Sequence, residues 1–254
     1  MNTVRAKKKL GQHFLTDEGI AQKIVNSLYE ENISVLEIGA GMGVLTQFLL
    51  QKNIDLQVVE IDEESVSYLQ KHYPALQNRI IAEDFLKLDL SSLFTDKFSV
   101  IGNFPYNISS QILFKILDYK HYIPEVVGMF QKEVAVRIAS PPGNKDYGIL
   151  SVLLQAFYDV EYLFTVDAAM FNPPPKVQSA VIRLKRNAVE QLDCDEKVFK
   201  TIVKTAFNQR RKTLRNSLKT ICFSEGFTQE KIFDLRPEQL SVEEFVYLAK
   251  KVKN

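Results

Sequence analysis

Long apolar runs are missing from this chain of 254 residues. No stretch approaches the ~20 residues that a helix needs to cross a bilayer, so no membrane partner is expected. The basic amino terminus leads into no apolar secretory core, and a cytoplasmic location is expected. Cysteine is scarce: Cys194 and Cys222 are too few and too far apart for a disulfide framework or a zinc site, which suits a reducing compartment. His13, His72 and His121 have no metal-ligand spacing among themselves, so no metal is implied. Repeats and low-complexity tracts are absent as well. A net charge of +1 excludes a molecule that attracts polyanions as a whole.

The charge that is present is unevenly placed. Residues 1–10 hold Arg5, Lys7, Lys8 and Lys9 without an acid, and residues 197–219 hold eight basic side chains, again without an acid. Either stretch alone is an ordinary solvated helix face. Two of them at opposite ends of a near-neutral chain suggest a surface that follows phosphates, densest at Arg210, Arg211, Lys212 and Arg215.

Apolar runs predict strands at 34–38, 56–60, 79–83, 98–102, 125–130, 160–165 and 178–184, with helix-like segments at 44–52, 63–71, 108–118, 132–139 and 148–157 between them. That alternation predicts an α/β fold with a doubly wound, largely parallel sheet. The last two strands have no helix between them and are expected to pair antiparallel. From Asp195 the period becomes helical, with Phe199, Ile202, Val203, Ala206 and Phe207 on one stripe. The polar stretch 185–193 is the expected linker, and the Pro-Gly-rich loop 140–146 is either a plain surface connection or a mobile flap.

The first strand runs into Glu37-x-Gly39-x-Gly41-x-Gly43 and then a helix-like segment, which is the setting of a nucleotide loop. Gly39 and Gly41 let the main chain turn tightly and approach a ligand. The spacing is not that of the dinucleotide fingerprint, which needs Gly-x-Gly-x-x-Gly. Glu60 ends the next strand, 21 residues after Gly39, where a carboxylate can accept both hydroxyls of a ribose. Asp84 follows at the end of the third strand, placed for an adenine amino group.

Asn103-Phe104-Pro105-Tyr106 hangs off the fourth strand. By itself Asn-x-Pro-Tyr is a good turn. At the end of a strand in a nucleotide-binding sheet it offers amide and main-chain acceptors for a planar amino group and a ring on which a base can stack. Glycines, Glu60, Asp84 and Asn103 thus fall in order at the ends of consecutive strands, where open α/β sheets bind ligands.

The order of these segments resembles that of class I S-adenosylmethionine-dependent methyltransferases, whose sheet is Rossmann-like. Lys9-Leu-Gly-Gln-His-Phe-Leu15, Ile101-Gly-Asn-Phe-Pro-Tyr-Asn-Ile-Ser109, Asp146-Tyr-Gly-Ile-Leu-Ser151 and Phe171-Asn-Pro-Pro-Pro-Lys-Val-Gln-Ser179 resemble the rRNA adenine dimethyltransferases. The tail, Phe207-Asn-Gln-Arg-Arg-Lys-Thr-Leu-Arg-Asn-Ser-Leu218 and Leu235-Arg-Pro-Glu-Gln-Leu-Ser-Val-Glu-Glu-Phe245, is similar to that of the small-subunit branch, whose loss gives kasugamycin resistance. His13 stands where many relatives have Asn, and Phe104 where they commonly have Leu.

The resemblance implies a methyltransferase domain over residues 1–186 and a small all-α RNA-binding domain over 187–254. It also implies S-adenosyl-L-methionine as cofactor, and dimethylation of two adjacent adenines in the 3′-terminal hairpin loop of small-subunit (16S) rRNA by a monomer. His13, Leu15, Gly39, Gly41, Glu60, Asp84 and Asn103 are then expected at the cofactor. Asn103, Phe104, Pro105, Tyr106 and Phe171 are expected at the target base, with Phe171 clamping it opposite Tyr106. The alternatives are the large-subunit dimethyltransferase of macrolide resistance, a DNA adenine methyltransferase, and a ribosome-assembly checkpoint factor with secondary methylation.

Overall fold

The computed structural model describes residues 4–29 and 34–253. In chain order the elements are β1 (Phe14–Leu15), α1 (Glu18–Val25), β2 (Ser34–Ile38), α2 (Thr46–Leu49), β3 (Leu56–Val59), α3 (Glu63–His72), β4 (Ile80–Ile81), β5 (Phe98–Asn103), α4 (Ser109–Asp118), β6 (Glu125–Gln131) and α5 (Lys132–Ala139). They continue as α6 (Ile149–Gln155), β7 (Tyr158–Val166), β8 (Phe171–Asn172), β9 (Ser179–Arg186), α7 (Glu196–Asn208), α8 (Leu214–Ser217) and α9 (Val242–Lys250). Short 3-10 turns join several of them. The chain forms two compact units, Met1–Ala135 with Glu161–Arg186, and Val136–Val160 with Asn187–Asn254.

A seven-stranded sheet of order β4-β3-β2-β5-β6-β9-β7 is the frame of the fold. β2 pairs in parallel with both β3 and β5, so the strand order reverses beside β2. β3 with β4 and β5 with β6 are also parallel, while β6 and β9 run antiparallel. The apolar runs of β2, β5 and β6 are buried almost throughout, as strands covered on both faces must be. The helices start where a short polar side chain can accept the free N–H groups of the first turn. Asp17 caps α1, accepting from the Ile20 N–H at 2.8 Å, and Asp62 caps α3.

In the second unit the expected stripe of α7 is buried at Phe199, Ile202, Val203 and Ala206, with Phe207 half-buried. Its first turn is capped by Asp195, and α9 begins with a reciprocal Ser241 and Glu244 box. The division at residue 186 needs amending, because residues 136–160 belong with the carboxy-terminal unit. The buried helix α6 packs on α7 and α9. Loop 140–146 is fastened within that unit: Gly143 N–H donates to the Glu238 carbonyl at 2.7 Å, and Arg210 donates to the carbonyls of Asn144 and Lys145.

Three local differences from the sequence expectation have physical causes. The helix expected over 44–52 begins at Thr46, because the glycine turn occupies the residues before it. β4 keeps only two residues at the sheet edge before the chain turns toward Asp84. The two-residue ladder of β1 with β8, which pairs Leu15 with Phe171, is too short to leave a periodic signal.

Candidate active site

A cavity lies in the first unit at the carboxyl ends of β2, β3 and β5, beside the point where strand order reverses. Gly39 and Gly41 form one wall. At Gly41 the backbone is left-handed (φ +56°), and a Cβ there would stand 2.8 Å from the Phe14 ring, so the turn excludes other side chains twice over. Its N–H donates to Glu60 Oε2 at 2.9 Å, and the Asp62 N–H donates to Glu60 Oε1 at the same distance. Glu60 is buried at 4% exposure, and burial raises its pKa although these two donors oppose the rise. Each oxygen keeps a lone pair for a ligand. Asp84 sits on the rim with Oδ1 accepting from the Leu86 N–H at 3.0 Å, among apolar Phe85, Leu86 and the half-exposed Ile61.

The segment after β5 forms the opposite wall. Asn103 donates from Nδ2 to the His13 carbonyl at 2.9 Å. A carbonyl can only accept, so this bond sets the amide orientation and leaves Oδ1 as the acceptor. The Phe104 ring is fully buried, edge-on to Phe130 with centroids 5.1 Å apart, so only its main chain faces the cavity. Tyr106 is half-buried with its hydroxyl paired to Ser179 Oγ, and burial raises its pKa against that hydrogen bond.

Residues 7–13 form a strap whose part from Leu10 onward lines the cavity. Lys7 is ion-paired with Asp62 and with Glu64, and Gln12 Nε2 donates to Asp62 Oδ2 at 3.1 Å. Burial pushes the Asp62 carboxyl up, yet the bonds from Lys7 and Gln12 outweigh it and hold the carboxyl below its ordinary range. His13 stacks on Tyr106 with ring centroids 5.4 Å apart, and its Nδ1 meets the Pro173 carbonyl at 2.8 Å.

Behind the glycine turn, Glu37 lies at the edge of a smaller void with Leu15. Its Oε2 accepts from the Thr46 hydroxyl at 2.6 Å, and its Oε1 is buried without a partner among the described residues. Burial first, with the charge of Glu60 adding, pushes its pKa up to about 7 against the Thr46 bond.

The family model for ribosomal RNA adenine dimethylase matches residues 3–252. The chain belongs to that family. "Ribosomal RNA small subunit methyltransferase A" of Parabacteroides distasonis is 63% identical over 250 residues, which cover 98% of this chain and 94% of the relative. The Flavobacterium johnsoniae protein of the same name is 58% identical over 258 residues, covering 100% and 98%. The crystal structure of a dimethyladenosine transferase from Plasmodium falciparum superposes with a TM-score of 0.78 at 25% identity, covering 93% of this chain and 96% of that one. The fold is therefore the Rossmann-like α/β fold of S-adenosylmethionine-dependent methyltransferases.

Within this dimethylase fold the sequence-predicted residues divide. His13, Gly39, Gly41, Glu60, Asp84, Asn103, Phe104, Pro105 and Tyr106 line one cavity. Leu15 is buried behind it. Phe171, expected to clamp the base, is instead a core residue: 3% exposed, opposite Leu15 and inside the main apolar cluster. The ladder between β1 and β8 draws its ring inward. In the second unit, Arg215 is bound by Asp234 at 2.8 Å and donates to the Thr228 carbonyl, and Arg210 holds loop 140–146. Arg211 and Lys212 are exposed. Sequence reading missed the strap and Ser179, although Asp62-Glu-Glu-Ser65 is a helix start and Ser179 closes the motif that begins at Phe171.

Proposed function

We propose that the chain dimethylates the 6-amino groups of two adjacent adenines in the 3′-terminal hairpin loop of small-subunit rRNA, working as a cytoplasmic monomer on the small ribosomal subunit. The observation that supports this reading most is the Asn103 amide: its Nδ2 is bound by the His13 carbonyl, which leaves Oδ1 as an acceptor on a residue that lines the cavity with Gly39, Glu60 and Asp84.

S-adenosylmethionine, when bound, supplies a methyl group made electrophilic by its sulfonium sulfur. The residues present fit it. The glycine turn admits a ligand against its main chain, Glu60 can accept two ribose hydroxyls, and Asp84 can accept from an adenine amine. The exposed Ile61 gives an apolar cover for a planar ring. His13 completes the cavity wall, and Leu15 supports it from behind.

The target nitrogen is a poor nucleophile because its lone pair is delocalised into the ring. Asn103 Oδ1 and the Phe104 carbonyl accept its two hydrogens and draw it toward tetrahedral geometry, while Pro105 stiffens the segment and Tyr106 stacks on the base. Little general-base strength is required, because the nitrogen turns acidic once a methyl is attached and gives up one proton to solvent at each transfer. Holding the reacting atoms in line supplies most of the acceleration. In the second unit, Arg211 and Lys212 serve as phosphate contacts.

Adenine with two methyl groups on N6 has lost the hydrogens it uses in pairing, so it stops reverse transcription. Primer extension across small-subunit rRNA should stop at two adjacent adenines in cells that carry the protein and read through in cells that lack it. Identical read-through in both would refute the assignment.

A further inference from the structure

With Phe171 placed in the core, Tyr106 is the one of the two rings expected at the target base that lines the cavity. A stacking platform works only at a defined tilt, because a base stacked on it inherits that tilt along with the direction of its amino group. Contacts at three places determine the tilt. The Cα end is set by Pro105 and by a turn in which the Ile108 N–H donates to the Pro105 carbonyl at 3.2 Å and Ser109 Oγ to the Tyr106 carbonyl at 3.3 Å. The phenol end is tied to Ser179 Oγ. One face is met by His13, with an interplanar angle of 27°.

Of these anchors Ser179 is the one built into the sheet. It is fully buried and opens β9, where it pairs with Gln131 at the carboxyl end of β6. β6 is in turn the parallel neighbour of β5, with Asn103 opposite Met129. The strand that carries the amine acceptor and the hydroxyl that holds the ring are thereby parts of one hydrogen-bonded sheet. Neither can shift against the other without breaking ladder bonds.

We propose that Ser179 is a positioning residue for the reaction: its hydroxyl fixes the tilt of Tyr106 and so aligns the target base with Asn103. The proposal rests on the function proposed above. It bears hardest on the second methylation. The monomethylated nitrogen keeps one hydrogen, so one acceptor loses its partner and the stacked ring carries more of the orientation.

The test uses the full-length protein, S-adenosylmethionine, and small subunits from cells that lack the modification. Mono- and dimethyladenine are followed by mass spectrometry in single-turnover time courses for wild type, Ser179→Ala, Tyr106→Phe and the double variant. Each single variant removes the same hydrogen bond, so each should slow the second methylation roughly two- to tenfold and accumulate monomethyladenine. The double variant should be no slower than either single one, with cofactor affinity unchanged by calorimetry. Tyr106→Phe leaves residue 179 untouched, so it tests the bond even if Ser179→Ala folds poorly. A wild-type time course for either single variant, or effects that multiply in the double variant, would overturn the proposal. A wild-type enzyme that forms no dimethyladenine would instead overturn the proposed function, and the positioning role with it.

Discussion

Glu37 and Glu60 place two carboxyls around the glycine turn, and of the two only Glu37 has an oxygen that finds no partner among the described residues. Its ordinary pKa of 4.5 rises to about 7 on folding. Below about 4.5 Glu37 is protonated in both states. Between there and about 7 the unfolded chain ionises while the folded one holds its proton, so stability falls as pH rises. Glu37→Gln keeps an acceptor for Thr46 and should remove this slope, gaining on the order of 1–3 kcal/mol at pH 8 relative to pH 4.5; denaturant titrations at the two pH values check it. At Glu60 and Asp84, substitution by Ala should weaken S-adenosylmethionine by roughly ten- to hundredfold or more, the effect of losing at least one charge-assisted hydrogen bond of roughly 1.5–3 kcal/mol. Binding to the ribosomal particle should hardly change, and unchanged cofactor affinity in calorimetry would remove both residues from the site. Asn103→Ala should abolish turnover with particle binding nearly intact, because the RNA footprint is larger than one base. Filter binding and methyl-incorporation assays on the same preparations separate the two effects.

Loop 140–146 is where an element takes on a role that its composition does not suggest. Proline and glycine leave it open between a plain surface connection and a mobile flap, and three hydrogen bonds hold it to Arg210 and the Glu238 main chain. Arg210→Ala should therefore speed amide exchange across 140–146 several-fold while leaving the salt dependence of RNA binding alone. Hydrogen-exchange mass spectrometry on the free protein measures the first, and salt titrations of binding the second. An unchanged exchange pattern would return Arg210 to the phosphate surface. Arg215 is spent in a similar way on Asp234, although both partners are largely exposed and solvent screens the pair, so its share of stability is small.

For the whole molecule the near-zero net charge makes the distribution of basic residues decisive. If Arg211 and Lys212 each meet a phosphate, replacing both with Ala should lower the slope of log affinity for the small subunit against log salt by roughly two. Cofactor binding should survive. An unchanged slope would make this stretch a solvated turn and shift the phosphate surface elsewhere, with Arg5, Lys8 and Lys9 as the next positions to test.

The sequence by itself determined the α/β class, the parallel core strands, the glycine turn, and the acids at successive strand ends. Those features are local or periodic: a buried parallel strand needs a continuous apolar run, and the ligand end of such a sheet is always its carboxyl end. The start of α7 at Asp195 was nearly as legible, since the apolar pattern takes on a helical period there. What only the tertiary structure decided are bonds between residues far apart in the chain. The Asn103 amide is oriented by His13, Tyr106 is tied to Ser179, and Asp62 meets Lys7 and Gln12. Whether Phe171 faces a ligand or the core, and whether Arg210 and Arg215 are available to a phosphate, also depended on what folding brings beside them. A side chain's type states which bonds it can make; packing selects its partner, because desolvation makes each buried donor and acceptor bond to what lies within about 3 Å.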